Sequence, residues 1–193
     1  MNAAAEQKTE HGTLRKDLIA SIPSLRAFAN SLCGQPALAD DLVQETLVKA
    51  WTNLGSFTVG TNLKAWLFTI LRNVYFSELR KRRREVEDGD GVFAARLSVH
   101  GEQLGHMHYE DLVDALGKLA PDQREAVILV GASGFSYEEA AEIAGCAIGT
   151  MKSRVNRARR RLSELLGLES DDEFGPDAGS RVAAAVEPPA GVS

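Results

Sequence analysis

The stretch from Ser136 to Leu165 constrains the fold more than any other part of the chain. Ser136-Tyr137-Glu138-Glu139 has the form of a capping box: the serine hydroxyl can accept the Glu139 N–H, and the Glu139 carboxylate can reach back to the Ser136 N–H. The helix this starts is short and small-sided, with Ala140, Ala141, Ile143 and Ala144, and Gly145 then supplies a tight turn. Beyond it, Ile148, Met151, Val155, Ala158, Leu162 and Leu165 recur in steps of three and four, forming one apolar stripe along a second helix. Small residues on the first helix let the second cross it closely, as a helix-turn-helix requires.

The side of the second helix opposite Val155 carries Ser153, Arg157 and Arg160, with Thr150, Asn156 and Arg161 at its margins. Lys152, Arg154 and Arg159 flank the apolar stripe. Arginine and lysine can pair with phosphates or with guanine, asparagine can hold adenine, and serine and threonine can take either base. A solvated basic face explains most charge runs. Here six basic residues without an intervening acid coincide with a capping box and a glycine turn, and DNA recognition is the better reading.

Helical periodicity extends over most of the chain. Leu14, Leu18, Ile22, Leu25, Phe28 and Leu32 mark a first helix, which Pro23 is expected to kink or split. A second is expected from about Leu38 to Leu54, with Leu42, Val43, Leu47, Ala50, Trp51 and Leu54 inward. A third starts near Asn62 and buries Leu63, Trp66, Leu67, Ile70, Leu71 and Val74. The pattern fails from Glu85 to about His106, where acid and glycine predominate and a short helical stretch is expected around Phe93 to Leu97. It resumes at Tyr109, and Pro121 suits the first turn of a further helix. Gly131-Ala132-Ser133-Gly134 reads as a turn, and the glycine- and proline-bearing tail beyond Leu168 as disordered. No strand-like alternation appears. The expected fold is all-α, with two small helical domains, residues 12–84 and 109–168, joined by a flexible linker over 85–108 and followed by a tail over 169–193.

The third helix has a second face. Phe68, Arg72, Tyr75 and Leu79 lie opposite its buried stripe, with Asn73 and Phe76 to either side, and it runs into Arg80-Lys81-Arg82-Arg83-Arg84. Aromatic rings interleaved with base suit single-stranded DNA, the rings stacking on bases and the guanidinium groups holding the backbone. The alternative is a second core face, favoured for Phe68 and evenly balanced for Tyr75 and Phe76. Asp40-Asp41-Leu42-Val43-Gln44-Glu45 has the opposite charge. It either stabilises a helix N-terminus or meets a basic protein.

The net charge is −5, so attraction to DNA is weak overall despite the basic faces, and the chain would bind well only if delivered by something else. The two cysteines, Cys33 and Cys146, form no disulfide framework, which fits a reduced, cytoplasmic protein. Met1 to Thr13 lacks the apolar run of a secretory signal, and no membrane span is expected. His106 and His108 lack further ligands nearby, so neither a metal nor any other cofactor is expected.

Taken together these segments resemble the extracytoplasmic-function class of the sigma-70 family. Asp40 to Thr46, continuing to Ala50-Trp51, resembles the family's helix that binds core RNA polymerase. Leu63-Lys64-Ala65-Trp66-Leu67-Phe68 through Ile70-Leu71-Arg72-Asn73 resembles the segment that opens and reads the −10 promoter element. Leu119 to Arg124, Phe135 to Ala144 and Gly149 to Val155 resemble the domain that reads the −35 element. The resemblance implies a core-binding set of Asp40, Asp41, Gln44 and Glu45, which meets the clamp helices of the largest polymerase subunit. It implies a −10 set of Asn62, Lys64, Arg72, Asn73, Tyr75, Phe76, Arg80 and Arg83, with Asn73 beside a pocket for a flipped base rimmed by Ser56 to Asn62. Its −35 set is Thr150, Lys152, Ser153, Asn156, Arg157 and Arg160. The chain departs from the family at Val130 and Gly131, where many members carry a basic residue that could meet phosphate.

Gly131 to Tyr137, with Cys146 in the turn and Asn156 in the helix, resembles more particularly the general-stress-response (EcfG-like) subgroup of alphaproteobacteria, in which a small NepR-like anti-sigma protein holds the sigma factor. Three other readings compete. A sigma mimic that only titrates an anti-sigma has no use for Arg80 to Arg84 or the Asn156-Arg157 face. A helix-turn-helix repressor leaves the acidic and aromatic–basic segments unexplained. An enzyme would need a catalytic cluster, and the dense carboxylates lie only in the linker and tail.

Overall fold

The computed structural model describes residues 3–58, 60–87 and 105–168, and every regular element among them is helical. The expectations for Phe93 to Leu97 and for the tail lie outside these residues. The chain divides into two compact units, Met1–Arg96 and Leu97–Ser193.

The first unit is built from α1 (Ala3–Cys33), α2 (Pro36–Thr52) and α3 (Leu63–Glu87), each packed on the other two, with a 3-10 turn at Leu54–Ser56. Leu25, Phe28 and Leu32 of α1 meet Leu42, Val43 and Ala50 of α2 and Leu67, Leu71 and Val74 of α3 in the core, all buried. Each large apolar side chain so buried contributes about 1.5–3 kcal/mol relative to exposure. Phe28 stacks on Phe68 with centroids 4.6 Å apart. Thr46 is buried on α2, where its hydroxyl donates to the Leu42 carbonyl at 2.7 Å. The chain leaves α1 through Gly34 at φ +66°.

Three expectations are corrected here. Pro23 does not split α1, which runs through it unbroken; the proline is exposed, so water can serve the carbonyl it leaves without a donor. Trp51 is not an inward residue of α2 but 58% exposed. On the second face of α3, Tyr75 is core rather than surface at 7% exposed, while Phe68 is buried at 1%, the reading favoured for it. Three helices in mutual contact bury a broader sector of α3 than one partner helix would. The Tyr75 hydroxyl is satisfied inside by donating to the Leu32 carbonyl, 3.1 Å away at the end of α1.

The second unit comprises α4 (Gly105–Gly117), α5 (Pro121–Val127), α6 (Tyr137–Ala144) and α7 (Ile148–Leu166). Helices α3 and α4 therefore reach into both ends of the span 85–108. Pro121 occupies the first turn of α5, where its missing N–H is no loss. Arg124 Nη2 donates to the Gly117 and Leu119 carbonyls at 2.7 and 3.3 Å, closing the exposed end of α4 against α5. The turn expected at Gly131-Ala132 is instead a wide helical turn, Ile128–Ala132, in which Ser133 N–H reaches back to the Ile128 carbonyl at 2.8 Å. Phe135, which follows it, is buried, and its N–H donates to the Leu129 carbonyl at 3.1 Å.

Candidate nucleic-acid interface

The helix-turn-helix closes as its sequence requires. Ser136 Oγ accepts the Glu139 N–H at 3.1 Å and the Glu139 carboxylate accepts the Ser136 N–H at 3.0 Å, so both halves of the capping box form. Gly145 lies at φ +62°, the left-handed region that ends helices. A Cβ there would meet nothing within 4 Å, so the glycine is needed for its backbone conformation and not for space. Ala140, Ala141, Ile143 and Ala144 are all buried, which brings α7 close over α6.

Met151, Val155 and Ala158 of α7 are completely buried and fix its rotation. Ile148, expected in the same stripe, is the first residue of α7 and 42% exposed. Ser163 is buried on α7 instead. Thr150, Lys152, Asn156, Arg157 and Arg160 are exposed, and Ser153 is half-buried among them. Arg157 donates through Nε and Nη2 to Ser153 Oγ, at 3.2 and 2.7 Å. That pair occupies one edge of the guanidinium and leaves its far end, with parallel N–H groups, directed away from the serine. Lys152 Nζ stands 5.8 Å from the Tyr137 ring centroid, within cation–π range.

Not every cation of α7 belongs to this face. Arg154 bonds Asp122 of α5 at 3.2 Å and Arg161 bonds Glu164 at 2.8 Å. Arg154 is the more buried of the two and ties α7 to α5. Lys152, Arg157 and Arg160 have no acidic partner among the described residues, so their charge is available to an anionic ligand.

In the first unit, α2 presents a face of mixed character. Asp41, Gln44 and Glu45 are exposed, and Val48 and Trp51 on the same side are 65% and 58% exposed. Asp40 is half-buried and engaged by Arg26 Nε of α1 at 2.6 Å. Glu45 pairs with Lys49 at 2.8 Å. The sequence pattern missed Val48 as part of this face; its signal was that it is the one large aliphatic residue of α2 out of phase with the inner stripe.

The residues expected to read an opened strand separate into groups. Asn73 and Arg80 line an open cleft of about 400 Å³ between α2 and α3, together with Lys49, Asn53, Ser56, Trp66, Ile70, Val74 and Ser77. Phe57 packs on Trp66, centroids 5.2 Å apart, and holds the 3-10 turn beside the cleft. Arg72 and Phe76 are not among its described lining residues: the Arg72 guanidinium lies 4.7 Å from the Phe76 ring centroid, and its Nη1 donates to Asn73 Oδ1 at 3.4 Å. Asn62 Oδ1 accepts the Ala65 N–H at 3.1 Å and caps α3. Lys64 Nζ lies 5.5 Å from the Phe68 ring. Tyr75, expected at the surface, has its ring in the core and meets Phe76 edge-on at 5.2 Å. The side chain of Arg83 lies outside the described residues.

Among the described residues there is no cluster of three or more potential metal ligands, and no helix is long and apolar enough to cross a membrane. The two cysteines are free thiols, Cys33 buried and Cys146 half-buried.

Residues 18–85 match sigma-70 region 2, and residues 109–162 match sigma-70 region 4. Over 165 residues the chain is 61% identical to the ECF RNA polymerase sigma factor EcfG of Rhodopseudomonas palustris (strain TIE-1), covering 86% of this chain and 91% of that protein. Among solved structures it is similar to the sigma factor RpoE of Bartonella quintana, crystallised with the anti-sigma factor NepR. The TM-score is 0.76 at 57% identity, over 81% of this chain and 98% of that one. It is also similar to CnrH in complex with the cytosolic domain of CnrY, with a TM-score of 0.58 at 27% identity over 80% and 88% of the two chains.

Proposed function

This chain belongs to the extracytoplasmic-function sigma factors of the sigma-70 family, and on that premise we propose how its surfaces bring RNA polymerase core to promoters in a general stress response. The observation that carries the reading is the division of surface character. One unit exposes an acidic and apolar helix face, while the other exposes a basic helix-turn-helix face, in a chain whose net charge is −5. An acidic face cannot take DNA. It fits a basic protein surface, and Val48 and Trp51 supply the apolar centre that such an interface needs.

The division of labour then follows from the chemistry. Residues 12–84 dock on core through Asp41, Gln44 and Glu45, with Asp40 held back by Arg26. The cleft beside Asn73 takes a base removed from the stack, with Arg80 on the strand's backbone and Arg72 and Phe76 alongside. Residues 109–168 place the first half of α7 in the major groove, where Lys152, Asn156 and Arg157 reach base edges and phosphates. The span 85–108 joins two weak sites, so that each raises the effective concentration of the other. The bond-making chemistry belongs to the polymerase. This chain selects and holds DNA in the cytoplasm and is not itself an enzyme.

RpoE of Bartonella quintana, similar over almost its whole length, forms a complex with NepR. A small anti-sigma protein of that kind is the expected negative regulator here.

Run-off transcription on a pool of genomic promoter fragments tests the reading. Purified core polymerase should give discrete new transcripts only when this chain is added. Their absence, together with absent core binding, would refute it.

A further inference from the structure

Lys49 is a cation of the α2–α3 cleft whose sequence neighbourhood points elsewhere. It lies on the helix expected to bind polymerase, yet it lines the cleft expected to bind the opened strand. Two cations thereby border the cleft, Lys49 from α2 and Arg80 from α3. In the same lining, Asn53, Ser56, Asn73 and Ser77 offer amides and hydroxyls, and Trp66, Ile70 and Val74 offer apolar surface. An aromatic ring, amides and hydroxyls together with two cations is the chemistry that recognises a nucleotide: base inside, backbone phosphate on the ammonium and guanidinium groups.

In the free protein the Lys49 charge is committed elsewhere. Its Nζ lies 2.8 Å from Oε1 of Glu45, one turn earlier on α2. Lys49 and Glu45 side chains are 49% and 53% exposed, so the pair is solvated and worth only about a twofold change in an equilibrium. A competing partner breaks it easily. Glu45 stands on the same exposed face as Asp41, Gln44, Val48 and Trp51, the surface assigned above to core polymerase.

We propose that Lys49 is a phosphate-binding residue of the −10 cleft, and that Glu45 holds its charge in reserve until polymerase engages Glu45. This rests on the proposed function and deepens it. When a basic surface takes the Glu45 carboxylate, Lys49 loses its counter-charge and its ammonium becomes available to the strand in the cleft. Docking on core and capture of the strand are thus coupled through one side-chain pair. The affinity of the chain for single-stranded DNA rises when it is polymerase-bound.

The test uses a labelled single-stranded oligonucleotide carrying the −10 sequence of a promoter that the holoenzyme transcribes. Affinity is measured over a range of salt. With holoenzyme, Lys49→Met should weaken binding roughly three- to tenfold and lower the log–log salt slope by about 0.7, the value of one phosphate contact on a single strand. Lys49→Arg should restore both, which separates loss of charge from loss of fold. With the full chain alone, Glu45→Gln should tighten binding about twofold, and the gain should vanish in the Lys49→Met background. Unchanged affinity and slope in Lys49→Met holoenzyme would overturn the assignment of Lys49. An equal Glu45→Gln gain in both backgrounds would overturn the coupling. If wild-type holoenzyme transcribes the promoter but ignores the oligonucleotide, the −10 reading falls and this inference with it.

Discussion

Replacing Arg157 by alanine isolates the contribution of the recognition helix. The side chain is exposed and its hydrogen bonds among the described residues run to Ser153, so unfolding stability should change by no more than about 0.5 kcal/mol. Its Nε and Nη2 are held on Ser153 Oγ, which presents the far end of the guanidinium in a fixed orientation. A bidentate contact made by such an end discriminates one base by about 1–3 kcal/mol. At about 1.4 kcal/mol per tenfold, that is a loss of roughly 5- to 150-fold in promoter affinity. The assay is holoenzyme binding to a recovered promoter and to the same promoter with its −35 element scrambled. Arg157→Ala should weaken the first and leave the second almost unchanged, with core binding intact. Ser153→Ala should give a smaller loss on the intact promoter and none in the Arg157→Ala background, because the serine acts by orienting the arginine. Equal losses on both promoters, or a parallel loss of core binding, would refute the placement of Arg157 on a base.

The other expectations concern surfaces and fold. Asp41→Lys combined with Glu45→Lys should weaken core binding by roughly tenfold or more in a pull-down titration, since like charges across an interface cost several kcal/mol; an unaffected titration would remove α2 from the interface. Tyr75→Phe should lower thermal stability by about 1 kcal/mol through loss of the bond to the Leu32 carbonyl, with promoter opening unchanged well below the transition. Loss of opening at full stability would put the Tyr75 hydroxyl in contact with DNA. Ser136→Ala should destabilise the second unit by about 1 kcal/mol through loss of the cap, visible as a lower unfolding midpoint.

The helix-turn-helix was legible because its signals are local. The capping box, Gly145 and the stripe Met151, Val155 and Ala158 each determine geometry within a few residues, and all three form as expected. The first unit was harder because burial there depends on how many helices share a core. Periodicity assigns one inner stripe to α3, but two partner helices bury Phe68 and Tyr75 as well. Trp51 fails in the opposite direction: its phase is apolar, yet no described helix covers it. The wide turn at Ile128–Ala132 also escaped, because glycine at 131 and 134 signals a break without saying how the preceding helix ends. Lys49 and Asn53 joined Asn73 and Arg80 only through the packing of α2 on α3, a long-range event that no short motif encodes. Arg154 shows the same limit. It looks like one more cation of the recognition helix until its bond to Asp122 on α5 is seen.

On the proposed function, this chain reads promoters as part of a polymerase and poorly without it. Footprinting one transcribed promoter with the chain alone, core alone and both together tests this most directly. Protection of the −35 and −10 elements is expected only with both present. Equal protection by the chain alone at the same concentration would contradict it and identify a free-standing operator-binding protein.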